Sequence, residues 1–179
     1  MSGEQLTYDG RVLYGAGDGA SSYELHPIPP RPTTVLTMGT FSLFHSGHVF
    51  LFQQCRKLAG PGGKVVVSVN SDDFAGRFKD RPPQTLHERM VIIASCRYVD
   101  DVIENTGNED AKVVIEQVWP DYLVIGQDWA QYQKDYYAQL AVTQDYLNER
   151  GISLLYVPRP PGSISSTEVK DRVRKSGTR

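Results

Sequence analysis

At 179 residues, with 19 Lys and Arg against 21 Asp and Glu and a net charge of −2, the chain is long enough for one full hydrophobic core and short for two. The near-balance of charge excludes the basic footprint of a protein whose main partner is nucleic acid. No run approaches the ~18 apolar residues of a membrane span and the N-terminus shows no signal-peptide core, so the expectation is a cytoplasmic protein with no membrane partner.

Residues 1–32 are rich in Gly, Ser and Pro and close with "HPIPPRP", which continues neither a helix nor a central strand. They read as an N-terminal extension ahead of a domain at 33–179. Within them "RVLYGAGDGASSYELH" suggests a hairpin with a glycine-rich turn between two β-prone runs. Its "GAGDGA" has the wrong spacing for a dinucleotide fingerprint, and no helix follows.

From Thr33 the pattern becomes regular. "TTVLTMG" reads as a buried strand and "HVFLFQQCRKLA" as a helix with Leu51, Cys55 and Leu58 on one face. "GGKVVVSVN" is a second strand, and "QTLHERMVIIASC" a helix whose Thr85 and Glu88 match a capping box. "DDVIE" is a third strand and "AKVVIEQVW" a helix; "DYLVIG" is a fourth strand, followed by a polar, Tyr-rich loop. The helix "QLAVTQDYLNERG", the strand "SLLYVPR" and a last helix from about Ser165 complete the series. Alternating strands and helices predict an α/β, Rossmann-like, five-stranded parallel sheet with helices on both faces. Cys55 and Cys96 read as two buried thiols in a reducing compartment.

In such sheets ligands bind outside the carboxyl ends of the strands, at the switch in strand order. Gly39, Thr40, Ser42, His45 and His48 follow the first strand, and Asn70, Ser71, Lys79 and Arg81 the second. Gly126, Gln127, Asp128 and Trp129 follow the fourth; Arg159, Gly162, Ser165 and Ser166 follow the fifth. These four loops are expected to converge on one cleft.

The two histidines admit three readings: core residues, metal ligands or phosphate-handling groups. A metal site needs a third ligand, and neither cysteine lies in a ligand-spaced cluster, so no resident metal is expected. Gly47 removes a side chain where the helix begins, so an anion can approach the free N–H groups and the positive dipole end. Two imidazoles there can donate to a phosphate as charge builds on it. "GRFKDR" alone reads as a solvated charged loop, Arg89 as a surface arginine, Asp128 as a turn residue and Trp129 as a packing aromatic. Ser165 with Glu168 makes a second capping box, which still leaves free N–H donors at that helix end.

"GTFSLFHSGH", "RYVDDVIEN", "GQDW" and "PRPPGSISSTEVK" together resemble the cytidylyltransferase-type nucleotidyltransferases with their His-x-Gly-His signature. Their order and spacing are similar to those of the glycerol-3-phosphate cytidylyltransferases, over about residues 34–174. The resemblance implies in-line attack by a substrate phosphate on the α-phosphate of CTP, with release of pyrophosphate and no covalent intermediate. Catalysis would then be positioning and charge stabilisation, with Mg²⁺ accompanying the triphosphate. His45, His48, Lys79 and Arg159 match the catalytic positions. Gly39, Thr40, Phe41, Gly47, Arg89, Arg97, Asp128, Ser165 and Ser166 match nucleotide-binding ones, and Ser42, Arg81 and Trp129 fall on the acceptor side. A homodimer through "CRYVDDVI" is also implied.

Two departures stand out. Ser42 occupies a position where the family carries Asp, and "RPPGSISST" is one residue longer than the family's "RTEGIST". The expected reaction is CMP transfer to a small phosphorylated alcohol or polyol. The alternatives are adenylyl transfer of the ADP-heptose or FAD synthase kind, and a nucleotide-binding regulator without turnover.

Overall fold

In the computed structural model the described residues are 11–15, 23–27, 30–77, 80–126, 141–158, 162 and 164–176. β1 (Arg11–Gly15) and β2 (Tyr23–Pro27) pair antiparallel, Leu13 opposite Leu25. Five strands follow: β3 (Thr34–Gly39), β4 (Lys64–Asn70), β5 (Asp101–Asn105), β6 (Tyr122–Gly126) and β7 (Ser153–Val157). All pairings among these five are parallel, and the full order is β2-β1-β7-β6-β3-β4-β5. The chain builds outward from β3 through β4 to β5, then returns to place β6 and β7 on the other side. The switch therefore lies between β3 and β6, the crevice that open α/β sheets use for ligands.

The expected five-stranded parallel sheet is extended by two antiparallel strands. β1 meets β7, with Gly15 opposite Tyr156. Without it β7 would present a row of unpaired backbone groups, the liability of any sheet edge.

Helices cover both faces. α1 (Ser46–Ala59) and α3 (Leu86–Ala94) lie on one, where Phe52, Cys55, Leu58 and Ile93 pack with Val35, Val67 and Val124. α4 (Lys112–Val118) and α5 (Gln144–Glu149) lie on the other, with Val114, Ile115 and Leu147 against Leu36, Val66 and Leu123. The run Val35, Leu36, Thr37 and Met38, all buried, is the mark of a strand covered on both sides. A short helix the sequence does not announce, α2 (Asp72–Gly76), follows β4 directly, capped by Ser71 Oγ accepting from the Phe74 amide at 3.1 Å. α6 (Ser166–Ser176) closes the described chain.

Both cysteines are free. Cys55 is fully buried, and that burial pushes its thiol far up, beyond nucleophile chemistry. Cys96 departs from expectation in being only half-buried. Among the described residues no helix is long and apolar enough to cross a membrane.

Candidate active site

Thr40–His45, the loop between β3 and α1, is tightly wound. Phe41 (φ +51°) and Leu43 (φ +48°) both adopt the left-handed region, which costs about 1–3 kcal/mol for a residue with a Cβ. Such strain persists only where neighbours over-determine it, and they do. The Phe41 ring is buried against Phe52 at 5.2 Å and meets the edge of His48 at 5.3 Å. A Cβ on Gly39 would approach that ring to 3.1 Å, so the glycine makes room for it. The Leu43 amide donates to Gln84 Oε1 at 2.8 Å, and the Ser42 carbonyl accepts from Ser166 Oγ at 2.6 Å.

His45 caps α1: its Nδ1 accepts from the Gly47 amide at 3.2 Å, while its carbonyl accepts from His48 N at 2.9 Å. An Nδ1 that accepts carries no proton, so the neutral ring holds its proton on Nε2, as a donor. The His45 and His48 rings stack with centroids 3.7 Å apart and planes 23° from parallel. A Cβ at position 47 would come within 3.0 Å of the His45 ring and 3.4 Å of the Ile164 carbonyl oxygen. Glycine between the histidines thus permits both the stack and the close approach of the segment leading into α6. Both histidines are half-buried, at a helix N-terminus and outside the two apolar clusters. Among the described residues no three His, Cys, Asp or Glu side chains gather as a metal site.

Arg89 is 1% exposed. Its Nε donates to the Gln84 carbonyl at 3.3 Å, one terminal nitrogen to the Thr40 carbonyl at 2.6 Å, and the other to the Asn70 carbonyl at 2.9 Å and Asp72 Oδ1 at 2.5 Å. One guanidinium therefore ties together the ends of β3 and β4, the start of α2 and the entry to α3. Burial raises the Asp72 carboxyl, but the Arg89 hydrogen bond, the Leu86 amide and the charges of Arg89 and Arg81 outweigh it and hold it below its ordinary value.

The opposite wall is the start of α6. Glu168 N donates to Ser165 Oγ at 3.1 Å and Ser165 N to Glu168 Oε2 at 2.6 Å, a reciprocal capping box. Lys170 reaches Asp80 at 3.7 Å, and Arg81 pairs with Asp73 at 2.8 Å, both of these last side chains exposed. The N-termini of α1 and α6 thus adjoin at the histidines, bringing two positive dipole ends to one place.

The structure places Gly39, Thr40, Phe41, Ser42, His45, Gly47, His48, Ser165 and Ser166 around the β3–α1 loop and the start of α6, with Arg81 on the flanking loop and Gly126 at the end of β6. Arg89 proves to be a buried tie between strand ends rather than a surface arginine. Arg97 is not brought to the cleft. Its turn joins the amino end of β4, where the Asp100 amide donates to the Val65 carbonyl at 3.0 Å and the Asp100 carboxylate accepts from the Val65 amide at 2.6 Å. A helix that starts at the carboxyl edge of a sheet delivers the chain to the other edge, and α3 does so. Lys79, Asp128, Trp129 and Arg159 lie outside the described residues.

Asn105, at the end of β5, escapes a reading of the sequence alone. Its Nδ2 donates to Asn70 Oδ1 at 2.9 Å, and Asn70 Nδ2 to Thr40 Oγ1 at 3.3 Å. The available signal is its place as the last residue of the third parallel strand.

Residues 36–172 match the cytidylyltransferase-like family. Glycerol-3-phosphate cytidylyltransferase of Bacillus subtilis (strain 168) is 30% identical over 139 residues, 78% of this chain and 95% of that protein. The bifunctional protein HldE of Halorhodospira halophila (strain DSM 244 / SL1) is 35% identical over 145 residues, which are 80% of this chain and 28% of HldE. The chain therefore corresponds to under a third of that relative. Among solved structures, the lipopolysaccharide core biosynthesis protein of Thermoplasma volcanium GSS1 has a TM-score of 0.56 at 26% identity, covering 74% of this chain and 98% of that one. Pantothenate synthetase of Thermus thermophilus, at TM-score 0.53 and 18% identity over 83% of this chain and 66% of its own, shares the fold. Five parallel strands whose order switches between β3 and β6, and a family match over residues 36–172, place this chain in the cytidylyltransferase-like family of nucleotidyltransferases.

Proposed function

We propose that the protein transfers CMP from CTP to a small phosphorylated alcohol or polyol of the glycerol-3-phosphate kind, releasing pyrophosphate. The observation that carries this reading is the His45–His48 stack, with the His45 Nε2 proton set by the cap to Gly47. A pair of imidazoles beside two helix N-termini suits an anion better than any neutral ligand.

An acceptor phosphate oxygen attacks the α-phosphorus in line. One P–O bond forms, the bond to the β-phosphate bridging oxygen breaks, and pyrophosphate leaves with that electron pair. The two histidines donate to the α-phosphate oxygens as negative charge gathers there. Thr40 and the amides at the start of α6 hold the remaining phosphates, and Ser42 faces the acceptor. Mg²⁺ would accompany the triphosphate, held by its phosphate oxygens and water, and would help neutralise the phosphate charge. Lys79, Arg159, Asp128 and Trp129 are assigned here from the sequence pattern alone: the first two to the phosphates, Asp128 to the ribose and Trp129 to the acceptor side. The reading includes a homodimer through β5, which has a strand on one side only and exposes Asp101 and Glu104.

The test is pyrophosphate release with four nucleoside triphosphates crossed against phosphorylated alcohols, sugars and flavin mononucleotide. The expected outcome is turnover with CTP and a three- to six-carbon polyol phosphate. Turnover with ATP alone would replace the reading by adenylyl transfer, and none with any pair by a binding role.

A further inference from the structure

We propose that Asn105 and Asn70 are positioning residues which fix the polarity of the Thr40 hydroxyl, so that its proton is presented to a phosphate oxygen. The three side chains cap the carboxyl ends of adjacent strands, Asn70 standing directly opposite Asn105 in the parallel register. Asn105 Nδ2 donates twice, to Asn70 Oδ1 at 2.9 Å and to the Asn108 carbonyl at 3.0 Å.

The second of these bonds sets the direction of all the others. A backbone carbonyl can only accept, so the Asn105 amide group must face it with nitrogen. Turned over, Asn105 would set two oxygens against each other at hydrogen-bond distance. Asn108 is held in the left-handed region (φ +54°), a conformation asparagine tolerates better than most residues. With Asn105 fixed as donor, Asn70 Oδ1 must accept and Asn70 Nδ2 must donate. Thr40 Oγ1 receives that donation at 3.3 Å, and its own proton is turned away from the network.

The arrangement leaves Asn105 Oδ1 buried without a partner among the described residues. Two backbone anchors hold the far end in place, because Arg89 grips the carbonyls of both Thr40 and Asn70. A hydroxyl committed to donate recognises an acceptor-only group, and a phosphate oxygen of a nucleoside triphosphate is one.

This inference rests on the nucleotidyl-transfer reading, and one experiment separates the two. Calorimetric titration with CTP and Mg²⁺, with ATP and with inorganic pyrophosphate is run on wild type, Thr40→Val, Asn105→Leu and the double variant. Thr40→Val and Asn105→Leu should each weaken triphosphate binding about fivefold, the size of one neutral hydrogen bond. The double variant should bind no more than about twofold more weakly than Thr40→Val alone, because Asn105 acts only through that hydroxyl. Thr40→Ser keeps the hydroxyl and should keep the sensitivity to Asn105→Leu. Should Asn105→Leu not fold, Asn70→Ala completes the same cycle.

Losses that multiply, to about 25-fold in the double variant, would overturn the relay and leave these asparagines a purely structural role, as would unchanged binding by either single variant. If ATP binds and CTP does not, the choice of nucleotide falls while the cycle run with ATP still decides the relay. Wild type that binds none of the three probes overturns the relay outright, since its proton would then be aimed at nothing.

Discussion

Ser166 and Ser42, 124 positions apart in the chain, are joined by a hydrogen bond of 2.6 Å from the Ser166 hydroxyl to the Ser42 carbonyl. The donor is the first residue of α6, and the acceptor lies between the two left-handed residues of the loop, Phe41 and Leu43. This bond makes the last helix a brace for the loop that carries the histidines. Ser166→Ala should cost only about 0.5–1.5 kcal/mol of stability but lower kcat roughly tenfold, because a small misplacement of reacting groups is expensive in rate. Ser166→Thr, which keeps a hydroxyl, should recover most of the loss. Equal turnover in the alanine variant would show that the loop holds itself.

His45→Ala and His48→Ala bear on the chemistry more directly. Each should lower kcat by about 10²-fold or more, the scale for removing a donor to a transition state, with a much smaller change in CTP affinity. His45→Ala also removes the cap on the Gly47 amide, so it should lose about 1 kcal/mol of stability that His48→Ala does not. Measuring melting and turnover on both variants separates the two roles of His45. Near-normal turnover in either would return that histidine to a packing role.

Arg89 predicts a different pattern. Replacing it with methionine leaves the Asp72 carboxylate and the carbonyls of Thr40, Asn70 and Gln84 without their donor in a buried setting. Removing one partner of a buried pair destabilises by about 3–5 kcal/mol. Arg89→Lys should recover little, since a single ammonium cannot span acceptors arranged around a planar fork. Denaturant unfolding of the three proteins would check this, and a methionine variant as stable as wild type would contradict it.

Acid should act through the same contact. The Asp72 carboxyl sits below its ordinary 3.8 in the folded protein. A carboxyl lowered by folding contributes stability that is fully present above its unfolded value and disappears as pH falls through the folded one. The Asp72 contribution is therefore intact at neutral pH and is lost below about pH 3.8. Asp72→Asn should be less stable than wild type at about pH 7, with the gap closing as the pH is lowered through that range. Asp121, also lowered by the Thr34 amide and Arg31 against its own burial, leaves the variant some acid sensitivity. A gap that stays constant to about pH 2 would show that Asp72 acts by shape alone.

The parallel strands and the His-x-Gly-His loop were legible because each rests on a local signal: a run of buried apolar residues, a glycine, a capping box. Thr85 with Glu88 and Ser165 with Glu168 cap their helices as their spacing implies. Arg89 was harder, since an arginine in a helix usually faces water. Its place four residues before buried Ile93 put it on the core face, a periodicity signal that residue type overrode. Arg97 shows the converse error: a motif match assigns a role, but only the path of the chain says which sheet edge the residue reaches. Asn105 and the docking of β1 on β7 depend on partners far away in sequence. No local pattern encodes them.

Ser42 supplies the last test. Its hydroxyl oxygen is buried and has no hydrogen-bond partner among the described residues, so it costs stability where it stands. An alanine there would remove the orphaned group without leaving a sizeable cavity. Ser42→Ala should accordingly be as stable as wild type or more stable by about 1 kcal/mol. If the hydroxyl is kept for the acceptor, the same variant should lose acceptor kcat/KM while binding CTP normally. Gain in stability with loss of rate is the signature of a group retained for its work. Ser42→Asp installs a carboxylate on the loop that Ser166, at the start of α6, holds by its hydrogen bond. It should change the relative kcat/KM among phosphorylated acceptors. Were all acceptors slowed by one common factor, Ser42 would be supporting the loop and selecting nothing.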